Sequence, residues 1–265
     1  MEIAKVDLRG LDPSSPGWRA ACAAVTASIV AHGCVVVAHD VISPELQQAV
    51  FDRAMPDLFA FPVETKQKDV STDNALKGYI VKVPGADSFR SFNVNNVDDA
   101  RSVHDFSNIF WPQGNPEFSN PVEALVRKVM KLGNTVERMI LEGLGVREEN
   151  IAAHLDVLTH IIRLSYYGVP EDAKMGVTLP VHSDPTFVTA IVQHEVEGLE
   201  VQAKDGSWIT IPPEEDTITF MAGDLLTVMT NGRVAASVHV PRKDAEQSRA
   251  LRNTVRLLGK EWCCD

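Results

Sequence analysis

The spacing of apolar residues changes several times within the N-terminal part of the chain. Residues 3–8 alternate as in a strand, residues 16–32 carry apolar side chains at helical spacing, and residues 34–38 form a short β-branched run. Ser43 then provides an N-cap for a second helix, whose apolar positions continue to Leu58. The chain is therefore predicted to begin as strand, helix, strand and helix.

The apolar pattern weakens between residues 62 and 111, where charged residues are mixed with glycine and proline. This composition predicts a long loop region that contains a β-hairpin. Aromatic residues occur singly in it, and each either packs in the core or lines a pocket. Because long ordered loops are uncommon unless they are functional, we expect Tyr79, Phe89 and Phe106 to contact a substrate.

A long amphipathic helix is predicted to begin at Asn120 and Pro121 and to end near Leu144, because apolar residues recur there at helical spacing. Residues 147–155 predict a short helix that leads into the second half of the chain. The long helix is the element on which we expect the sheet to rest.

Short strand-like runs dominate the chain beyond Thr159. They cover residues 161–167, 187–192, 198–202, 208–211, 217–221 and 225–229. Many short strands, separated by turn residues, are typical of a barrel or a jelly roll. We therefore predict a mostly β protein with α-helices, in which residues 1–157 form a helical N-terminal layer and residues 158–265 form a jelly-roll core with an incomplete C-terminus. The two parts are expected to form a single catalytic unit.

The composition narrows the possible functions. Lys and Arg total 25 and Asp and Glu total 36, and the resulting charge of −11 argues against a nucleic acid or an anionic membrane as partner. The chain has no apolar run of transmembrane length, and its N-terminal residues do not form a secretory signal. The four cysteines lack the spacing of a metal site. We expect a monomeric, cytoplasmic protein with reduced thiols that acts on a small molecule.

Candidate metal chemistry is concentrated at His182 and Asp184. In an extended segment, side chains two positions apart lie on one face, so these two residues can bind the same ion. His239 offers a third ligand, and two histidines with one carboxylate are the facial set of non-haem Fe(II) oxygenases. A zinc hydrolase uses the same ligand types but needs a positioned general base, for which the sequence offers no candidate with comparable spacing. The other histidines are interpreted as surface or locally hydrogen-bonded residues: His32, His39, His104, His154, His160 and His194.

Several short motifs occur in order between Arg163 and His239. They are Arg163-x-Ser165-Tyr166-Tyr167, His182-Ser183-Asp184, Gly198-Leu199-Glu200-Val201, Gly206-x-Trp208, Gly223-Asp224 and Asn231-Gly232-Arg233. In this order and spacing the stretch resembles the plant 2-oxoglutarate- and Fe(II)-dependent dioxygenases. Lys77-Gly78-Tyr79 and Trp111-Pro112 look most like the branch that includes glucosinolate side-chain oxygenases, enzymes of plant secondary metabolism.

This resemblance implies a double-stranded β-helix that holds Fe(II) at its open end through His182, Asp184 and His239. It implies an oxidoreductase that takes 2-oxoglutarate as co-substrate and O2 as oxidant, with ascorbate assisting. Oxidative decarboxylation to succinate and CO2 would be coupled to hydroxylation or desaturation of a small metabolite. Tyr167, with Ser165 in place of the family's asparagine, is expected to contact 2-oxoglutarate.

The segment after His239 departs from the family pattern, which places an Arg-x-Ser there to bind the far carboxylate of 2-oxoglutarate. Arg249 lacks the hydroxyl partner, and Arg252 has it later than the pattern requires; both are expected as candidate co-substrate contacts. A reading-frame change or a truncation after His239 would account for this ending and would leave an edge of the sheet unpaired. The alternative function is then a catalytically impaired relative that binds metal or a partner without turnover.

Overall fold

The computed structural model describes residues 3–70, 78–80, 89–168 and 179–241, and it describes residues 252–260 as backbone. Its helices are α1 (Trp18–His32), α2 (Pro44–Gln48), α3 (Met55–Phe59), α4 (Val63–Lys66), α5 (Ser102–Phe110), α6 (Pro116–Gly143), α7 (Glu148–Val157) and α8 (Asp224–Met229), with a π-helical turn at Ala49–Ala54 and a 3₁₀ turn at Gln67–Asp69. Its strands are β1 (Lys5–Asp7), β2 (Cys34–Ala38), β3 (Gly78–Ile80), β4 (Phe89–Val94), β5 (Thr159–Tyr167), β6 (Val188–Gln193), β7 (Leu199–Gln202), β8 (Trp208–Ile211), β9 (Thr217–Ala222), β10 (His239–Pro241) and β11 (Arg252–Lys260).

The N-terminal order of strand, helix, strand and helix is confirmed. Helix α1 ends because Gly33 adopts a left-handed conformation, φ 70°, and donates its N–H to Ile29 O. The Ser43 side chain caps α2 by accepting from the Leu46 N–H at 3.3 Å. The first cap ends α1 directly before β2, and the second begins α2 shortly after β2.

The described strands form two sheets. The large sheet has eight strands in the order β1-β2-β9-β6-β11-β5-β4-β3, and the small sheet has three strands in the order β10-β7-β8. This arrangement, with helices against the large sheet, confirms the prediction of a mostly β fold with a double-stranded β-helix core. Strands β1 to β4 come from the first half of the chain, so the large sheet is built from both predicted parts.

Along β9 of the large sheet, apolar side chains point alternately to the two faces of the sheet. Each face therefore contributes to its own layer of the core. Ile218 and Phe220 of β9 belong to the main apolar cluster, which fills the space between the sheet and the helices. Met221 and Cys34 belong to a smaller cluster with residues of β7 and β8, and this cluster fills one part of the space between the two sheets. We call the space between the two sheets the lumen. Cys22 and Cys34 are buried free thiols.

The prediction of a strand over residues 225–229 was wrong, because this segment is helix α8. Thr227 and Thr230 donate their backbone N–H groups to Gly223 O and Leu226 O, as in a helix. The run is too short for its apolar spacing to distinguish a strand from a buried helical turn. Asn231, with φ 50°, follows the helix and reverses the chain toward β10.

The segment between residues 62 and 111 is more regular than predicted. The hairpin is present, since β3 pairs with β4 in antiparallel fashion, but the segment also contains α5. Helix α6 begins at Pro116 rather than Asn120, because Asn115 caps it by accepting from the Phe118 N–H. Pro121 therefore lies inside the helix. None of the helices in the described ranges is both long and apolar enough to cross a membrane.

Strand β11 occupies the position where an unpaired edge was expected. Its backbone pairs with β5 from Arg252 to Lys260 on one side and with β6 on the other. The open edge that a reading-frame change or a truncation would leave is therefore not present in the described backbone. The sequence of the strand includes Val255, Leu257 and Leu258, which is sufficient apolar content for a central strand.

Candidate metal centre

His182, Asp184 and His239 lie together beside the small sheet. Each offers one ligand atom, and these atoms lie within 4.8 Å of one another. The Nε2 atoms of His182 and His239 lie 3.8 Å and 4.0 Å from the carboxylate oxygens of Asp184. Asp184 and His239 are buried, whereas the His182 side chain is 26% exposed. The cluster therefore has one side that ligands can reach.

The backbone holds the two histidines opposite each other. His182 N donates to His239 O at 3.1 Å, and His239 N donates to His182 O at 2.9 Å. This pair of bonds is an isolated antiparallel bridge, and it extends the small sheet beyond β10. Residues far apart in the sequence are thus brought into register, and their imidazole centroids lie 4.3 Å apart.

Hydrogen bonds to backbone carbonyls determine which nitrogen of each imidazole carries the proton. Nδ1 of His182 lies 2.8 Å from Pro180 O, and Nδ1 of His239 lies 3.0 Å from Ser237 O. A carbonyl oxygen can only accept, so each Nδ1 donates its proton and each Nε2 presents its lone pair toward Asp184. Two neutral imidazoles and one carboxylate are a donor set that suits Fe(II).

The loop that carries Asp184 is held by the N-terminus of α8. Asp184 O accepts from Asp224 N at 2.8 Å, and Phe187 O accepts from Gly223 N at 3.0 Å. A Cβ atom built on Gly223 would lie 1.9 Å from Thr186 O and 2.8 Å from Asp184 O. Only glycine permits this close approach of the two chain segments.

Gly223→Ala is therefore expected to destabilise the protein by about 1–3 kcal/mol, because the added methyl group forces the Asp184 loop away from α8. Urea denaturation followed by circular dichroism measures this change, and titration with Co(II) measures the accompanying loss of metal affinity. Gly17→Ala is the control, since its Cβ meets only the Leu11 side chain, at 3.2 Å. Equal stability of the two variants would contradict this account of Gly223.

Strand β5 places polar side chains on the lumen side of the large sheet. Ile162 and Leu164 belong to the helix-side cluster, so the alternating residues Arg163, Ser165 and Tyr167 face the lumen. Ser165 is completely buried, and its hydroxyl has no hydrogen-bond partner among the described residues. A ligand in the lumen can supply such a partner.

Strand β4 adds residues to this wall that the sequence did not indicate. Ser91 lies directly opposite Ser165, is completely buried and likewise has no described partner for its hydroxyl. Asn93 lies opposite Arg163 and accepts from its Nε at 2.9 Å. Strand β4 lies in the segment predicted as a loop, so no local pattern could have identified these residues.

The remaining predicted site residues have different locations. Phe89 packs against Tyr167, with ring centroids 5.1 Å apart, and the two residues form a small apolar cluster with Leu179. Tyr79 and Phe106 pack in the helix-side core around Phe92. Their placement is that of packing residues, which was the other role open to them.

Of the two arginines expected to bind the co-substrate, the structure describes only Arg252, and only its backbone. Arg249 lies outside the described residues. The backbone of Arg252 is directly opposite Tyr167 in the β5–β11 pair. Directly opposite residues of an antiparallel pair belong to the same face of a sheet, so Arg252 holds a position on the lumen face.

The other histidines differ in their surroundings. Nitrogen atoms of His104, His160 and His194 lie within 3.2 Å of the carboxylates of Glu123, Asp98 and Asp52, respectively. This agrees with their interpretation as locally bonded residues. His39 is buried, and neither of its ring nitrogens has a described partner; burial lowers its pKa.

Comparison with known proteins gives consistent matches. Residues 158–256, which include the three candidate ligands, match the 2OG-Fe(II) oxygenase superfamily. The probable 2-oxoglutarate-dependent dioxygenase AOP1 of Arabidopsis thaliana is 33% identical over 238 residues, which cover 87% of this chain and 76% of that protein.

Solved structures share the fold at lower sequence identity. The dioxygenase for auxin oxidation 1 of Arabidopsis thaliana, in a binary complex with 2-oxoglutarate, superposes with a TM-score of 0.83 at 19% identity and covers 98% of this chain and 94% of its own. The dioxygenase for auxin oxidation in rice superposes with a TM-score of 0.80 at 22% identity and covers 97% of this chain and 82% of its own.

Proposed function

Because the chain belongs to the 2-oxoglutarate- and Fe(II)-dependent dioxygenase family, we propose that His182, Asp184 and His239 bind its Fe(II) and that the enzyme hydroxylates or desaturates a small metabolite. The observation that carries this assignment is the geometry of the cluster: three ligand atoms of the appropriate types lie within 4.8 Å of one another. The coordination positions that a facial set leaves open are those that co-substrate and O2 require.

Bound Fe(II), with 2-oxoglutarate and O2, supplies oxidative decarboxylation and the removal of hydrogen from a substrate C–H bond. The protein's own contribution is to hold the ligand atoms in place and to limit access by water. The His182–His239 backbone bridge and the two Nδ1 hydrogen bonds fix the imidazole rings before metal arrives. Burial of Asp184 and His239 restricts water to the side of His182.

The polar lumen wall is the proposed site for 2-oxoglutarate. The hydroxyls of Ser165 and Tyr167 would donate hydrogen bonds to its carboxylates, with Ser91 as an additional donor on the neighbouring strand. Arg252 is the proposed cation for the far carboxylate, because it is paired in register with Tyr167. Arg249 is the alternative.

The substrate class is proposed from the relatives. AOP1 is named only as a dioxygenase, and the branch resemblance makes a plant secondary metabolite the first class to test. Phe89, beside Tyr167, is the described aromatic residue positioned to contact such a molecule. A catalytically impaired relative is not favoured, because all three candidate ligands are present and assembled.

The test of this function is succinate formation from 2-oxoglutarate in the presence of Fe(II), O2 and ascorbate, followed by NMR. Slow turnover without primary substrate is expected to be sufficient for detection. Intact metal binding without any succinate, with or without candidate substrates, would contradict the proposed activity.

Tyr167→Phe is expected to raise the KM for 2-oxoglutarate by about tenfold or more, because a hydrogen bond to a charged group is lost. Tyr166→Phe is the matched control. Tyr166 alternates to the helix side of β5, where its ring stacks on Phe59 with centroids 5.3 Å apart. Succinate assays at varied 2-oxoglutarate concentration give the KM of each variant. An unchanged KM in the Tyr167 variant would remove this residue from the co-substrate site.

A further inference from the structure

A second cavity, of about 360 Å³, lies on the helix side of the large sheet between the end of α6, α7 and α8. Its deepest residues, Leu141, Phe187 and Leu226, belong to the helix-side apolar cluster. None of the three candidate metal ligands lines it. We call it the α7–α8 cavity, and it is separate from the lumen.

The α7–α8 cavity combines an apolar floor with a polar rim. Phe187 and Leu226 are completely buried at its floor, whereas Asn150, Asn231 and Arg233 are exposed at its rim. Met229, which is 54% exposed, extends the apolar surface to the opening. An apolar floor with a few convergent polar groups is typical of a small-molecule site.

The charge of the α7–α8 cavity is opposite to that of the chain. The protein carries 36 acidic and 25 basic residues, yet the described residues that line this cavity include no Asp or Glu, and Arg233 is the only Lys or Arg among them. The guanidinium is held in place because its Nη1 donates to Leu144 O at 3.0 Å. By contrast, the cavity beside α2 is lined by several carboxylates, including Glu45, Asp52 and Glu195. The α7–α8 cavity is therefore suited to an anion.

His154 adds a polar atom inside the cavity. Its ring packs on Phe187 with centroids 4.3 Å apart, and its Nε2 is buried without a hydrogen-bond partner among the described residues. A buried nitrogen without a partner is destabilising, and a ligand that bonds to it would remove that cost. Burial lowers the pKa of His154, so the ring adds no second positive charge near neutral pH.

We propose that the α7–α8 cavity binds a small amphipathic monocarboxylate, whose apolar body contacts Phe187 and Leu226 and whose carboxylate pairs with Arg233. This site does not depend on the metal centre. It is distinct from the proposed position of 2-oxoglutarate, and 2-oxoglutarate itself carries two carboxylates and little apolar surface.

Octanoate is the probe, titrated into metal-free protein by isothermal titration calorimetry. Saturable binding is expected, and Arg233→Gln should weaken it by at least about tenfold, whereas Arg233→Lys should retain most of it. Arg147→Gln is the matched control with unchanged affinity, because Arg147 is an exposed arginine nearby that pairs with Glu149 and does not line the cavity. Octan-1-ol, which has the same chain without the charge, should bind more weakly.

Four results would overturn the proposal: no saturable binding of octanoate, equal affinity in Arg233→Gln and the unsubstituted protein, equal affinity for octan-1-ol, or displacement of octanoate by 2-oxoglutarate. The last result would place octanoate in the lumen. Circular dichroism of each variant confirms that it is folded before titration. Since the titration uses protein without metal, loss of turnover in the succinate assay would not affect its outcome.

Discussion

His182→Ala is expected to reduce succinate formation by more than about 100-fold, because loss of a residue that only orients a ligand already costs roughly 10–100-fold in affinity or activity. Among the three candidate ligands, His182 is the one whose replacement disturbs the fold least. Its side chain is 26% exposed, whereas that of His239 is completely buried. Its backbone bonds to His239 do not require the imidazole. The loss can therefore be attributed to the metal site.

His104→Ala is the matched control, and its turnover is expected to equal that of the unsubstituted enzyme. His104 is also a partly exposed histidine beside a carboxylate, since its Nε2 lies 2.9 Å from Glu123. Metal affinity, measured by Co(II) titration of both variants, separates loss of the ion from loss of the co-substrate. Turnover in the His182 variant close to that of the control would show that iron is bound elsewhere.

Much of the candidate metal cluster could be predicted from the sequence, because the spacing of two of its residues is local. His182 and Asp184 are two positions apart in an extended segment, and this spacing alone places both on one face. His239 was named as the third ligand from its residue type and then supported by the resemblance, since nothing in the residues around it specifies a partner in the distant His182 segment. The backbone bridge between them is visible only in the structure.

Ser165 and Tyr167 of the lumen wall were indicated by the resemblance, but the residues that β4 contributes could not be predicted, because their position depends on strand register. Ser91 faces Ser165 only because β4 pairs with β5 across a long stretch of intervening chain. A shift of register by one residue would turn both serines to the other face. Helix α8 was misassigned for a different reason: the apolar residues 225–229 are compatible with either a strand or a helical turn, and only the backbone hydrogen bonds of the folded chain distinguish the two.

Glu137 is a buried acidic residue of α6, which the amphipathic sequence pattern of this helix did not indicate. It is 3% exposed on the helix, and its Oε2 has no hydrogen-bond partner among the described residues. Burial raises the pKa of this carboxyl from 4.5 to about 8. The folded protein therefore holds a proton there at neutral pH, whereas the unfolded chain releases it.

The direction of the effect on stability follows from this difference in proton binding. Between pH 4.5 and about pH 8 the folded state binds more protons than the unfolded state, so the free energy of unfolding falls as the pH rises. Each pH unit within this window costs up to about 1.4 kcal/mol. Below pH 4.5 both states bind the proton, so the ionisation of Glu137 does not lower stability. Above about pH 8 both states have released it, so the loss of stability no longer increases.

Glu137→Gln keeps the side-chain size and removes the titration, so its stability relative to the unsubstituted protein is expected to rise by about 3 kcal/mol between about pH 5 and pH 8. Urea denaturation at several pH values measures this divergence. Glu117→Gln is the control, because Glu117 is exposed in the first turn of the same helix and its replacement should change stability by less than about 0.5 kcal/mol at any pH. Parallel pH profiles for the Glu137 variant and the unsubstituted protein would show that the carboxyl is solvated or paired in solution. A divergence would instead identify Glu137 as a stability cost within the helix that supports the large sheet.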